Sequence, residues 1–181
     1  MAQKLVSKVG IPEGVKVDMK GNDLKVSASG KENARNFKST NFVFKKNGSE
    51  IEVWSKSTRR NVVAEANAVA SHIRNLITGL NKDYVYRLEV VYSHFPMNVA
   101  VKGNYVEINN LSGGKFPRRA NIIGSTKVEI KGKDITVKGQ NKEHTGQTAA
   151  NLEQATRIRG RDVRIFQDGI YITSKSGEAK E

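Results

Sequence analysis

Arg157, Arg159, Arg161 and Arg164 fall within a single eight-residue run. A guanidinium is always charged, planar and able to hold a phosphate through two parallel N–H donors. Side chains at alternate positions of an extended segment share one side. An extended run would therefore set Arg157, Arg159 and Arg161 in a row of forks suited to a polyanion. The same charge can equally serve a solvated strand edge, since cations discourage edge-to-edge pairing. Two more basic clusters precede this run. Leu111 to Arg119 is glycine-rich and carries Lys115, Arg118 and Arg119. Glycine lets backbone approach a ligand closely, so this segment reads as a phosphate-facing loop or as a solvated surface loop. Lys138 to Gln147 joins a predicted strand to a predicted helix. Unpaired N–H groups and the helix dipole attract anions at a helix N-terminus, and Lys138, Lys142 and His144 would flank one. The other reading is an ordinary helix start with Thr145 as its cap. The Gly-Lys-Ser/Thr ending of a Walker loop is missing.

The wider charge agrees with a polyanionic partner. Lys and Arg number 31 against 18 Asp and Glu in 181 residues, a net charge of +13. The pI of about 10.0 lies above the value of about 9 that marks nucleic-acid-binding domains. Residues 1–80 carry 14 basic and 7 acidic side chains, and residues 81–181 carry 17 and 11, so the halves match at +7 and +6. Within the second half, residues 115–164 hold 12 basic against 5 acidic, +7 in about a quarter of the chain.

Other chemistries find little support. There is no cysteine, which excludes disulfides, thiol nucleophiles and cysteine-bound metals. The histidines, His72, His94 and His144, lack partners at metal-ligand spacing, and His72 reads as a structural residue inside a helix. No Gly-x-Ser-x-Gly elbow and no dinucleotide fingerprint occurs. The expectation is a protein without catalytic activity, cofactor, metal or small-molecule substrate. No apolar run approaches the ~18 residues that span a bilayer, and the first residues lack the apolar core of a secretory signal. No membrane partner and a cytoplasmic location are therefore expected. Aromatics make up 7%, and Phe42, Phe44, Phe166 and Tyr171 fall at strand positions that suit a core. Binders of single strands stack bases on aromatic platforms, so the composition favours reading the backbone and shape of a folded RNA.

These clusters must be held by regular elements, and the chain states one plan twice. Displaced by 84 residues against itself, it sets Gly48 on Gly132, Ile51 on Ile135, Val53 on Val137 and Ala66 on Ala150. In the first copy Val15 to Met19 and Leu24 to Ala28 alternate as strands, and Asn47-Gly48 closes a hairpin between Phe42 to Phe44 and Ile51 to Val53. Val62, Ala66, Val69, Ile73, Leu76 and Leu80 then mark one face of a helix, with Ser57 or Thr58 as its cap and Gly79 at its end. In the second copy Val99 to Val101, Val106 to Ile108, Val128 to Ile130 and Ile135 to Val137 are strands. A helix follows over about 145–158, then a hairpin from Arg164 to Ile172 turning at Asp168-Gly169. Tyr84 to Tyr92 is a strand joining the copies. The reading is α+β: two duplicated domains, 1–82 and 83–181, each an antiparallel sheet packed on one helix.

The run Gln154 to Lys175, with Ile158, Arg161, Arg164, Phe166, Asp168, Gly169 and Ile170 to Ile172, resembles the signature of the sixth protein of the large ribosomal subunit in its archaeal and eukaryotic form. Gly139, Lys142, Gly146, Gln147 and the alanine pair Ala149-Ala150 are similar to that family's helix start, and Ile11 to Val15 to its first strand. The resemblance implies a structural protein of the large subunit with two homologous α+β domains. It implies binding to large-subunit rRNA mainly through the C-terminal domain, near the sarcin–ricin loop and the stalk base. Neighbouring large-subunit proteins are the other implied partners. On this reading the rRNA contacts are Lys115, Arg118, Arg119, Lys138, Lys142, His144, Gln147, Arg157, Arg159, Arg161, Arg164 and Lys175. A different class of function, a free cationic adaptor for acidic proteins or membrane surfaces, also fits the charge. It would be expected to carry its cations along one amphipathic helix face, and here they lie in strands and turns.

Overall fold

A computed structural model describes residues 4–28, 30–39, 41–93, 95–162 and 164–176. They divide into two compact units that meet between Lys82 and Asp83. The first unit holds β1 (Lys4–Gly10), β2 (Lys16–Lys20), β3 (Asp23–Ala28), β4 (Lys31–Asn36), β5 (Phe42–Asn47), β6 (Glu50–Ser55) and α1 (Arg60–Asn81). Its strands form two sheets, ordered β1-β6-β5 and β2-β3-β4. The second unit holds β7 (Tyr84–Val91), β8 (Asn98–Lys102), β9 (Tyr105–Asn109), β10 (Arg118–Asn121), β11 (Lys127–Lys131), β12 (Asp134–Gly139), α2 (Lys142–Thr156) and β13 (Gly169–Ser174). Its sheets are β10-β9-β8 and β11-β12-β7-β13. Every strand pairing described is antiparallel.

The duplication is thus one of topology. In each unit a leading strand pairs with the second strand of a later hairpin, a three-strand meander lies between them in sequence, and a helix follows. β6 begins at Glu50 and β12 at Asp134, a displacement of 134 − 50 = 84 residues. The hairpin turns match as well, with Gly48 at φ +58° and Gly132 at φ +61°, a conformation that glycine adopts without steric cost. The second unit adds β13 on the free side of β7. Each helix seals its unit. α1 buries Ala66, Val69, Ala70, Ile73, Leu76, Ile77 and Leu80 with Leu24, Val26, Ile51 and Val53. α2 buries Ala149 and Leu152 with Leu88, Val106, Ile108, Ile135, Val137 and Ile170. Each large aliphatic side chain so buried contributes about 1.5–3 kcal/mol. Phe42 is in the first core, edge-on to Phe37 at 6.1 Å.

The α+β reading of two duplicated domains on helices holds, and several details differ. Each unit divides its strands between two sheets. β1, β4 and β10 were not expected, because their apolar residues alternate too weakly to outweigh Lys, Arg and Asn. Tyr84 to Tyr92 is not a joining strand: β7 lies inside the second unit's four-stranded sheet, between β12 and β13. α1 has no side-chain cap. Ser57 Oγ instead accepts from Arg59 N, one residue ahead of the helix, and Gly79 is buried inside the last turn. α2 spans 142–156, since Asn141 and not Thr145 caps it. The terminal hairpin at Asp168-Gly169 does not form. Asp168 is 1% exposed and its Oδ1 accepts from Ser93 N at 2.8 Å. Gly169 pairs with Val91 of β7, and residues 164–167 join no sheet. His72 packs in the first unit, where Arg35 Nη1 donates to its Nδ1 at 2.9 Å. His94 lies outside the described residues, as does Val163 within the arginine run.

Candidate nucleic-acid interface

Two of the three basic clusters meet at the C-terminal end of α2. After β9 the chain enters a tight turn with left-handed backbone at Asn110 (φ 60°) and Ser112 (φ 51°). Leu111 is buried in the second core and anchors that turn. Asn110 Nδ2 donates to Pro96 O at 3.0 Å, and Gly114 N donates to Leu111 O at 3.0 Å. The chain then runs through Lys115, Phe116 and Pro117 into β10. Arg118, the first residue of β10, donates from one nitrogen to Ala155 O and to Arg157 O, each at 2.9 Å. The last carbonyls of a helix have no partner within it and carry the negative end of its dipole. A cation there is favourable on both counts. Arg161 makes a second tie, donating to Ser112 Oγ at 2.6 Å while its guanidinium lies 4.8 Å from the Phe166 ring centroid. Segments 37 to 49 positions apart in sequence thus become one surface.

The arginine run is not an extended strand, and its first three arginines do not form the expected row. Arg157 N closes the last helical turn on Gln154 O, Gly160 turns the chain at φ +75°, and Asp162 O accepts from Ile165 N and Phe166 N. Asp162 Oδ1 also accepts from Arg164 N at 2.9 Å. Aspartate commonly closes such a turn through its side chain. Arg118 pins the end of α2, and the chain must reverse before it can enter β13. Arg161 is turned to Ser112 and Phe166 but stays exposed, as are Arg157, Arg159 and Arg164.

The third cluster lies at the other end of α2, which is about 22 Å long at 1.5 Å per residue. The backbone anion site expected there is closed. Asn141 Oδ1 accepts from Glu143 N and His144 N, and Asn141 O accepts from Thr145 N. Lys138 is paired with Glu129 across β11 and β12 at 3.3 Å. Lys142 Nζ lies 5.8 Å from the centroid of Tyr84. His144 packs on the turn at Gly124, where an added Cβ would come within 2.5 Å of its Nδ1. Gln147 Nε2 donates to Asn151 Oδ1, and Asn151 Nδ2 in turn donates to Asn121 O. Lys175 is exposed just past β13.

The electrostatic contrast between the two ends is therefore clear. Among the described residues Lys115, Arg119, Arg157, Arg159 and Arg164 carry no ion pair, while Lys138 does. Arg119 stacks 5.1 Å from the centroid of Tyr105. Next to it, Lys102 Nζ donates to Glu107 Oε1 at 2.7 Å. That bond, with the one from Asn109, holds the Glu107 carboxyl below the usual glutamate range and raises Lys102. Burial against α2 pushes the Tyr86 hydroxyl up. Among the described residues no three His, Asp or Glu side chains converge as metal ligands, and no helix is long and apolar enough to cross a membrane. The sequence reading missed two residues. Ser112 accepts the Arg161 tie, and nothing local marks it. Phe116 is 89% exposed, and its one signal is an aromatic outside every periodic apolar pattern.

The residues that build this surface fall in the segment that matches a known family. Residues 95–169 fit the pattern of the family described as Ribosomal protein L6. A Methanobrevibacter smithii protein named Large ribosomal subunit protein uL6 is 41% identical over 175 residues, covering 97% of this chain and 98% of its own. The chain belongs to the ribosomal protein L6 family. Proteins of the same name from Methanosphaera stadtmanae and Archaeoglobus fulgidus are 43% and 44% identical, covering 96% and 92% of this chain and 95% and 88% of theirs. These likenesses span both units, in keeping with the duplicated plan. Members of the family carry the name of a ribosomal constituent and not of an enzyme, and this chain is not an enzyme.

Proposed function

We propose that the chain is a structural constituent of the large ribosomal subunit that binds large-subunit rRNA through its C-terminal unit. The observation that carries this reading is the set of cations at the C-terminal end of α2. Lys115, Arg119, Arg157, Arg159 and Arg164 are exposed without an ion pair among the described residues, on segments tied together by Arg118 and Arg161. Like charges held close repel one another, and a polyphosphate relieves that cost while releasing its counterions. Arg118 and Arg161 organise the surface and keep donors to spare. Lys138, Lys142, His144, Gln147 and Lys175 form flanking contacts. Family membership supports a place in the subunit, and resemblance supports a position near the sarcin–ricin loop and the stalk base, beside neighbouring large-subunit proteins in cytoplasmic ribosomes. The role is assembly and support of translation.

Sedimentation tests the reading. The tagged full chain is expected to stay with large subunits through a high-salt wash, and crosslinking within intact subunits to join residues 115–164 to rRNA. A chain recovered only from the supernatant at moderate salt would point to the adaptor instead.

A further inference from the structure

We propose that Phe116 is a stacking platform for an unpaired nucleobase of the RNA held by the surrounding cations. The inference rests on the rRNA-binding reading and adds a base contact to one built on phosphates. Phe116 is the most exposed large apolar side chain described, at 89%, ahead of Ile165 at 62%. Its segment is nevertheless anchored on both sides. Upstream, Leu111 is buried, and the Phe95 ring lies against Gly113, where a Cβ would meet it at 3.3 Å. Downstream, Arg118 is bonded to the end of α2 and Arg119 lies over Tyr105. Pro117 fixes its own φ and restricts the residue before it to extended backbone. The ring is thus presented on a restrained stem, which lowers the entropy lost on binding.

The charge around the ring selects the occupant. Lys115 precedes it, Arg118 and Arg119 follow it, and Arg161 donates to Ser112 in the same loop. A flat π-face among cations suits a nucleobase whose own backbone phosphates meet those cations. An apolar protein pocket would have to tolerate the same positive charge at its rim. The low aromatic content disfavours a continuous single-strand platform, and one stacked base within a shape-read RNA is compatible with it.

Full-length variants and a large-subunit rRNA transcript test this at several salt concentrations. Phe116→Ala is expected to weaken binding about 5- to 150-fold, the range for loss of one base–aromatic stack. Its log-affinity against log-salt line should stay parallel to that of the unaltered chain, because no charge is removed. Phe116→Tyr should bind like the unaltered chain, and Phe116→Leu, apolar but not flat, like Phe116→Ala. Thermal melting should not move, since the ring is outside the core. Undiminished affinity of Phe116→Ala, while Arg157→Ala with Arg159→Ala still flattens the salt slope, would overturn the stacking role and leave the rRNA reading intact. Undiminished transcript binding by Phe116→Ala with lost retention on intact subunits would overturn it in favour of a protein neighbour. If neither the phenylalanine nor the arginine variants alter transcript binding, the rRNA reading itself fails.

Discussion

Arg157 and Arg159 give the sharpest test of how the surface works. Both are exposed, and neither carries an ion pair among the described residues. Their charge is therefore available to phosphate without first breaking an internal contact. Each phosphate neutralised contributes about 0.7–0.9 to the slope of log affinity against log salt. Arg157→Ala with Arg159→Ala should flatten that slope by about 1.4–1.8. Between 50 and 200 mM salt, a fourfold range, the affinity gap between the unaltered chain and the double variant should narrow by about 7- to 12-fold. Lys138→Ala is the control. Its ammonium is already paired with Glu129 at 3.3 Å, so its slope change should be smaller than that of either arginine alone. Filter binding or fluorescence anisotropy on an rRNA transcript measures all three lines. Parallel lines for the double variant and the unaltered chain would refute the argument that unpaired cations at the end of α2 face phosphate.

Three further outcomes follow from the packing and the electrostatics. Arg118→Ala removes two hydrogen bonds that share one guanidinium nitrogen at the end of α2 and should lower unfolding stability by about 1.5 kcal/mol, the low end for a single charge-assisted bond, because the nitrogen is shared and the side chain is exposed. Denaturant titration reads this, and an unchanged midpoint would show the tie to be energetically idle. Asn141→Ala leaves Glu143 N and His144 N without their acceptor and should cost about 1 kcal/mol, while Asn141→Asp or Asn141→Ser should keep most of it. The Glu107 carboxyl is held below its ordinary value of 4.5 by Lys102 and Asn109. Its folded pKa is lowered, so its stabilising effect is present above 4.5 and is lost as pH falls through the folded value. Glu107→Gln should accordingly lose less stability than the unaltered chain in thermal melts taken downward from pH 5, and equal losses would contradict the pairing.

The periodic elements were readable because each buries its apolar residues on one side. Val62 to Leu80 recurs at the helical spacing, and Ile51 and Val53 alternate, so both appear in the sequence as patterns. β10 did not, because Arg118-Arg119-Ala120-Asn121 buries a single alanine and owes its place to pairing with β9. Asp168-Gly169 reads locally as a turn. It became the entry to a strand because β7 offered a free edge and Ser93 N offered the buried carboxylate a donor.

The same distinction divides the candidate site. Composition and charge density pointed to a polyanionic partner and placed an excess of +7 within residues 115–164, because charge is a property of residue type. Which cations share a face was decided only by the tertiary structure. Arg118 and Arg161 are recruited across 37 to 49 residues to hold loops together, and Lys138 is paired with Glu129 in the neighbouring strand. Phe116 reads as one more apolar residue until its neighbours are known. Long-range contacts have no local sequence signature, because a hydrogen bond depends on where the chain returns and not on how far along it the partner lies.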